Sequence, residues 1–158
     1  LTAVSVGAGE VIGVDGVPDK LATARDLGAT QTFSPTEREE QGVKADIVIE
    51  AAGNARAFEA AVAATAPGGT TITVGLPAPD ARSSISPLGL VAEARTIIGS
   101  YLGSAVPSRD IPKYAQMWRE GRLPVEKLIS SRLELHDINR GMDELADGNA
   151  IRQIITFE

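Results

Sequence analysis

Short apolar runs alternate with amphipathic stretches through the first half of the chain. Val11, Ile12 and Val14 form a β-branched run, interrupted by Gly13 and closed by Asp15. From Pro18 the pattern changes. Leu21, Ala24 and Leu27 recur at helical spacing, Pro18 suits a first turn, and Gly28 stops the run. Gln31 to Phe33 predicts a brief strand, and polar Ser34 to Lys44 a loop or single helical turn. Asp46 to Ile49 is a second apolar strand, followed by Glu50-Ala-Ala-Gly53. Asn54 suits the cap of a helix to about Ala66 with the face Phe58, Ala61, Val62 and Thr65. Pro67 to Gly69 predicts a turn, and Thr70 to Val74 a strand. Strands without polar alternation, separated by helical patterns, predict a parallel sheet covered on both faces, hence an α/β fold.

The second half is less regular. Pro79 to Ser86 reads as loop or edge strand, and Pro87 to about Ala94 as a short helix. Thr96 to Leu102 predicts a strand, ended by Gly103-Ser104. Pro107 to Gly121 predicts an amphipathic helix whose Tyr114, Met117 and Trp118 are expected in the core. A short helical piece over Pro124 to Ile129 and an extended Leu133 to Leu135 follow. Asp137 is expected to cap a helix to Asp147, and Ile151 to Phe157 to form a last strand. Glu37-Arg-Glu-Glu40 reads as a solvated charged face, and His136 as a surface residue.

At 158 residues the chain is long enough for one core. A formal charge of −6 offers no basic stripe for nucleic acid or an anionic membrane. With no cysteine and one histidine, neither disulfides nor a thiolate metal site is available. No apolar run approaches the ~20 residues that span a bilayer, and no basic n-region precedes an apolar core. A cytoplasmic setting is the expectation. Gly7-Ala-Gly9 does not make a phosphate loop. Such glycines lie between a strand and the helix it opens, whereas these precede a strand.

The candidate chemistry sits at Asp15. A carboxylate at the C-terminal end of a buried parallel strand can accept both hydroxyls of an adenosine ribose. The alternative is a solvated Asp opening a loop.

Several segments together resemble a family. Val11-Ile-Gly-Val-Asp15, Lys20 to Ala29, Asp46 to Gly53, Gly68-Gly-Thr through Val74-Gly-Leu-Pro77, Ile98 to Gly103, Gly121-Arg-Leu-Pro124, Ile138-Asn-Arg-Gly141 and Gly148 to Arg152 occur in order. They resemble the coenzyme-binding part of medium-chain zinc-dependent alcohol dehydrogenases, in the liver-type and aryl-alcohol branch. The resemblance implies an α/β, Rossmann-like, doubly wound parallel sheet, incomplete at its N-terminal edge, with residues 1–158 forming the NAD-binding domain and the family's C-terminal tail. The family's first strand, its glycine loop and its zinc-bearing catalytic domain are expected before Leu1. The first helix and the Ser34 to Ala45 region are shorter than the family's.

The resemblance also implies roles. Asp15 stands as the ribose-binding acid, favouring NAD over NADP because a 2′-phosphate beside a carboxylate suffers like-charge repulsion. Lys20 stands near the same ribose, or is a solvated helix charge. Gly53 and Asn54 lie on the adenosine side. Backbone groups of Val74, Ser100 and Leu102 stand where the nicotinamide carboxamide is held, with Gly75 alongside Val74 and Leu76 bordering the substrate pocket. Arg152 resembles the arginine that pairs with the pyrophosphate. No catalytic residue and no metal ligand is expected in this chain; zinc belongs to the other domain. The implied function is the coenzyme half of an enzyme that moves a hydride between an alcohol or aldehyde and NAD. A non-catalytic nucleotide-binding or interaction module and a zinc-free, NADP-dependent reductase are the alternatives. The strand Thr96 to Leu102, apolar on both faces, is expected to join two copies into a homodimer or tetramer.

Overall fold

In the computed structural model, which describes residues 1–157, the elements run in the expected alternation. They are α1 (Thr2–Ser5), β1 (Ile12–Val14), α2 (Pro18–Asp26), β2 (Gln31–Phe33), α3 (Pro35–Glu40), β3 (Ala45–Glu50), α4 (Ala55–Ala64) and β4 (Thr65–Thr73). Then come α5 (Pro87–Ala92), β5 (Thr96–Gly99), α6 (Pro107–Arg119), β6 (Ile129–Glu134), α7 (Ile138–Ala146) and β7 (Arg152–Thr156).

All strand pairs are parallel, in three groups: β1 with β2, β3 with β4 and β5, and β6 with β7. Parallel pairing requires a crossover, and each helix between paired strands supplies one. Ile49, Ile72 and Ile98 lie side by side across the three-stranded sheet. Gly13 earns its place in β1: a Cβ there would stand 3.3 Å from the Ala24 Cβ of α2. The missing side chain lets α2 lie close on the strand.

The core is small. Ala61 and Val62 of α4 are buried, as the predicted face requires. The most enclosed side chains are Thr65 and Thr71, whose hydroxyls meet at 2.6 Å while Thr65 also donates to Ala61 O at 3.0 Å. A hydroxyl pair satisfied in this way fills the α4–β4 junction without an orphaned polar atom. A second apolar cluster includes Met117, Leu123, Leu133 and Ala150.

Several expectations are corrected. Ser34 to Lys44 holds a genuine helix, α3, because Ser34 and Glu37 form a capping box. Arg38 on that helix is buried, so the charge run is not wholly solvated; Glu37, Glu39 and Glu40 are exposed. Pro67–Gly69 is an irregularity inside a longer β4, where the register against β3 jumps. The strand after Thr96 stops at Gly99, and Ser100 N makes the last ladder bond, to Thr73 O at 3.0 Å. β4 also ends at Thr73, so nothing remains for Leu102 to pair with. Tyr101–Ser104 coils into a 3₁₀ stretch in which Leu102 and Ser104 adopt positive φ. Of the three expected core residues on α6, only Met117 is buried; Tyr114 and Trp118 stay 46% and 48% exposed, and the Trp118 indole N–H donates to Glu126 Oε2 at 2.8 Å instead of entering the core. Asp137 makes no side-chain cap for α7; its carboxylate pairs with Arg140 at 3.2 Å instead.

Candidate functional site: the C-terminal ends of the parallel strands

Asp15 follows β1 directly. Its backbone N–H donates to Phe33 O at 3.3 Å, so the strand pairing with β2 carries one residue further. Its Oδ1 accepts the N–H of Val17 at 2.9 Å, a short turn that orients the carboxylate above the start of α2. Among the described residues no protein donor reaches Oδ2. One oxygen is therefore held and the other is open to a ligand. The carboxylate lines a shallow depression with Arg25, Thr32, Ser34 and Glu37. Thr32 Oγ1 is buried there without a hydrogen-bond partner.

Lys20, one turn into α2, lines a neighbouring depression together with Arg152 of β7. A Cβ on Gly148 would lie 3.9 Å from Lys20 Nζ, so the ammonium rests over the α7–β7 turn. Arg152 donates to Ile151 O at 2.8 Å, and no carboxylate lies within ion-pair distance of either cation among the described residues. Two unneutralised cations more than a hundred residues apart in sequence make one anion-attracting face.

A second cluster joins the ends of β3 and β4. Glu50 closes β3 and is only 5% exposed. Its Oε1 accepts the N–H groups of Ala52 at 2.8 Å and Gly53 at 2.7 Å, and its Oε2 accepts Thr73 Oγ1 at 2.7 Å. Its backbone oxygen takes Val74 N at 2.9 Å. One carboxylate thus ties the turn after β3 to the end of β4. The two turns touch: a Cβ on Gly75 would lie 2.3 Å from Gly53 N, closer than real atoms approach. Gly53 itself has φ +69 and lies against the Leu76 backbone. Sequence reasoning singled out Gly53 and Gly75 but missed Glu50. The signal was present, an acid ending an all-apolar strand, the same one that selects Asp15.

The remaining expected residues divide. Asn54 lies beside this cluster, but its Oδ1 is spent on Ala57 N at 2.9 Å, capping α4. Leu76 is 74% exposed at the rim. Val74 and Ser100 come together at the ends of β4 and β5, with their amides bonded to Glu50 O and Thr73 O. Leu102 is not brought into line with them. It sits past the strand, 76% exposed, at φ 49.

Asp15, Gly53, Val74 and Ser100 share one structural address: each lies at or just past the carboxyl end of a parallel strand. That is where open α/β sheets bind ligands. The donor set does not fit zinc. The chain has no cysteine, its one histidine is 73% exposed, and among the described residues no three His, Asp or Glu side chains converge. The residues do fit a dinucleotide: an open carboxylate, paired cations, and a glycine cradle that a Cβ would fill.

The comparisons agree with this architecture. Alcohol dehydrogenase 1 of Cenchrus americanus is 32% identical over 96% of this chain, which spans 42% of that protein. The alcohol dehydrogenase zinc-binding domain protein of Burkholderia ambifaria superposes with a TM-score of 0.91 at 29% identity, over 99% of this chain and 44% of its own. A Sinorhizobium meliloti zinc-binding dehydrogenase solved with NADP shares the fold at TM-score 0.86 and 22% identity, over 99% and 47% of the two chains. The chain accordingly spans under half the length of the proteins it matches. No helix among the described residues is long and apolar enough to cross a membrane. Residues 1–120 match the zinc-binding dehydrogenase family, and this chain belongs to it, corresponding to its coenzyme-binding part.

Proposed function

We propose that this chain is the coenzyme-binding portion of an NAD-dependent, zinc-dependent alcohol dehydrogenase. The observation that carries the choice of NAD is Asp15, whose carboxylate has one oxygen fixed by Val17 N and the other open. An open, oriented acceptor suits the vicinal hydroxyls of an adenosine ribose, and its charge opposes a 2′-phosphate. Lys20 and Arg152 supply the countercharge for the pyrophosphate. Gly53 and Asn54 border the adenosine side. The turn Val74–Gly75–Leu76 and the neighbouring Ser100 border the nicotinamide side, with Leu102 at its margin.

NAD, when bound, accepts the hydride from the alcohol. This chain's residues would bind and orient it; none is placed to move a proton or polarise an alcohol. The zinc, the proton relay and most of the alcohol pocket belong to the rest of the enzyme in this proposal. The isolated 158-residue protein should therefore show no alcohol oxidation with or without added zinc, since it cannot assemble three zinc ligands around an open position. Zinc-dependent turnover by the pure chain would overturn that division of labour.

Titration of NAD and NADP against the protein and Asp15→Ala tests the coenzyme reading. NAD should bind more tightly than NADP, and the substitution should weaken NAD by about 1–3 kcal/mol while narrowing the gap. An unchanged preference would remove Asp15 from the site.

We also propose a homodimer, or a dimer of dimers, formed through β5. Among the described residues β5 pairs only with β4, and Pro79 to Ser86 is loop that does not cover its outer edge. Ile98 is 45% exposed on that strand, and no charge or proline blunts it. A two-fold pairing of β5 with its own copy is self-complementary.

A further inference from the structure

We infer that Glu50 is a positioning residue for the coenzyme: its buried carboxylate fixes the separation of the turns after β3 and β4, so that the adenosine and nicotinamide halves of one dinucleotide are engaged together. This rests on the reading that those two turns border the two halves of NAD.

Glu50 takes hydrogen bonds from both turns. Ala52 N at 2.8 Å and Gly53 N at 2.7 Å, from the turn after β3, donate to Oε1. Thr73 Oγ1, at the end of β4, donates to Oε2 at 2.7 Å. Val74 N and Gly75 N, from the turn that follows, donate to the Glu50 backbone oxygen at 2.9 and 3.3 Å. Each oxygen of the carboxylate therefore serves a different strand end. None of the ion pairs among the described residues includes Glu50, so these donors alone meet its charge. At 5% exposure the side chain cannot turn away without leaving donors unsatisfied.

The spacing it holds is tight. A Cβ on Gly75 would lie 2.3 Å from Gly53 N and 3.1 Å from Glu50 Oε2, and a Cβ on Gly53 would lie 3.1 Å from Leu76 N. Backbone meets backbone here, with no flexible side chain to absorb a shift. Groups that touch a ligand keep their geometry to about 0.5 Å only when hydrogen bonds behind them do so. Glu50 is such a support: its carboxylate oxygens are committed to the protein, and it acts through Gly53 and Val74–Gly75–Leu76. Its length matters as much as its charge. Aspartate, one methylene shorter, falls short of one strand end. Glutamine keeps the reach, with Oε1 accepting from both amides and Nε2 donating to Thr73 Oγ1.

The test titrates adenosine 5′-monophosphate, nicotinamide mononucleotide and NAD against the 158-residue protein, Thr73→Val, Glu50→Asp and Glu50→Gln, following backbone amide resonances. Two linked halves bind more tightly than either alone only when both sites can be reached at once. In Thr73→Val and Glu50→Asp, NAD should weaken about tenfold while each mononucleotide alone stays within about twofold of the parent. Glu50→Gln should bind all three as the parent does. Adenosine monophosphate should shift the Val74–Leu76 amides in the parent and leave them unmoved in Thr73→Val. A merely structural Glu50 would lower the melting temperature of the variants and leave the ratio of NAD to mononucleotide affinity alone. A ratio held within about twofold in Thr73→Val and Glu50→Asp, whether the ligands weaken together or not at all, overturns the inference. So does a Glu50→Gln protein as weak for NAD as Glu50→Asp. Asp15→Ala separates this from the reading beneath it. If Asp15→Ala weakens the adenosine nucleotide but the ratio ignores Glu50, only the role of Glu50 falls. If neither mononucleotide nor NAD shifts any resonance of the parent, both fall.

Discussion

Asp15 and Glu50 occupy equivalent places and do opposite things. Each is a carboxylate at or just past the end of a parallel strand, and each follows an apolar run. Glu50 is enclosed and accepts three hydrogen bonds from its own chain, from Ala52 N, Gly53 N and Thr73 Oγ1. Asp15 is half-buried and accepts one, from Val17 N. The difference lies in what stands beside the strand end. β4 follows β3 in register up to Thr73, and its turn at Gly75 folds back onto Gly53. Among the described residues β1 pairs only with β2, whose end leads into α3, so the space over Asp15 stays open. A carboxylate whose bonds are filled holds structure together; one with an open oxygen can hold a ligand.

The contrast breaks most directly at Glu50. Glu50→Ala strands two backbone donors and a hydroxyl in a closed turn, at ~1–3 kcal/mol for each unsatisfied group that water cannot reach. A loss of about 3 kcal/mol in urea unfolding is expected, against a change within about 0.5 kcal/mol for Asp15→Ala, whose surroundings remain solvated. Equal losses at the two positions would erase the distinction. Gly75→Ala attacks the same closed end through packing. The added Cβ meets backbone rather than a flexible side chain, so the turns must part, costing about 1–3 kcal/mol. The same unfolding experiment reads it, and Gly16→Ala, with open space at the Asp15 end, serves as the quiet control.

The other open end is the edge of β5. Ile98→Lys or Ser100→Pro should produce monomers in sedimentation if that edge pairs two copies. A parent protein already monomeric at micromolar concentration ends the idea.

The smallest expected effect comes from Asp110, a filled carboxylate outside the site. Hydrogen bonds from Arg109 and then from Val106 N hold its pKa at about 2, below the usual 3.8. A depressed folded-state value means that this contribution is present above pH 3.8 and is lost as the pH falls toward 2. The stability difference between the parent and Asp110→Asn should therefore shrink across that window. A difference that holds constant down to pH 2 would mean the carboxylate charge is not what stabilises the start of α6.

Much of this was legible in the residues. The alternation of strands and helices, the cap at Asn54, the buried face of α4 and the room left by Gly13 follow from local chemistry, which one segment carries by itself. The misreadings share a cause. Tyr114 and Trp118 sit at helical spacing with Met117, but spacing says that a face is apolar, not that anything covers it. Leu102 extends an apolar run, yet a strand lasts only as long as its neighbour, and β4 stops at Thr73. Arg38 lies inside a charge run, and its burial depends on how α3 rests on β2.

The sequence by itself determined the order of elements and the kind of residue that ends each strand, because backbone preference, capping and hydropathy act over a few neighbours. Only the tertiary structure decided what those ends do. It brought Lys20 and Arg152 to one depression, spent Glu50 and Asn54 on their own turns, and left one oxygen of Asp15 free. Hydrogen bonding and ion pairing are settled within a few ångströms, and which groups come that close depends on strand pairing and crossovers that bring distant segments together.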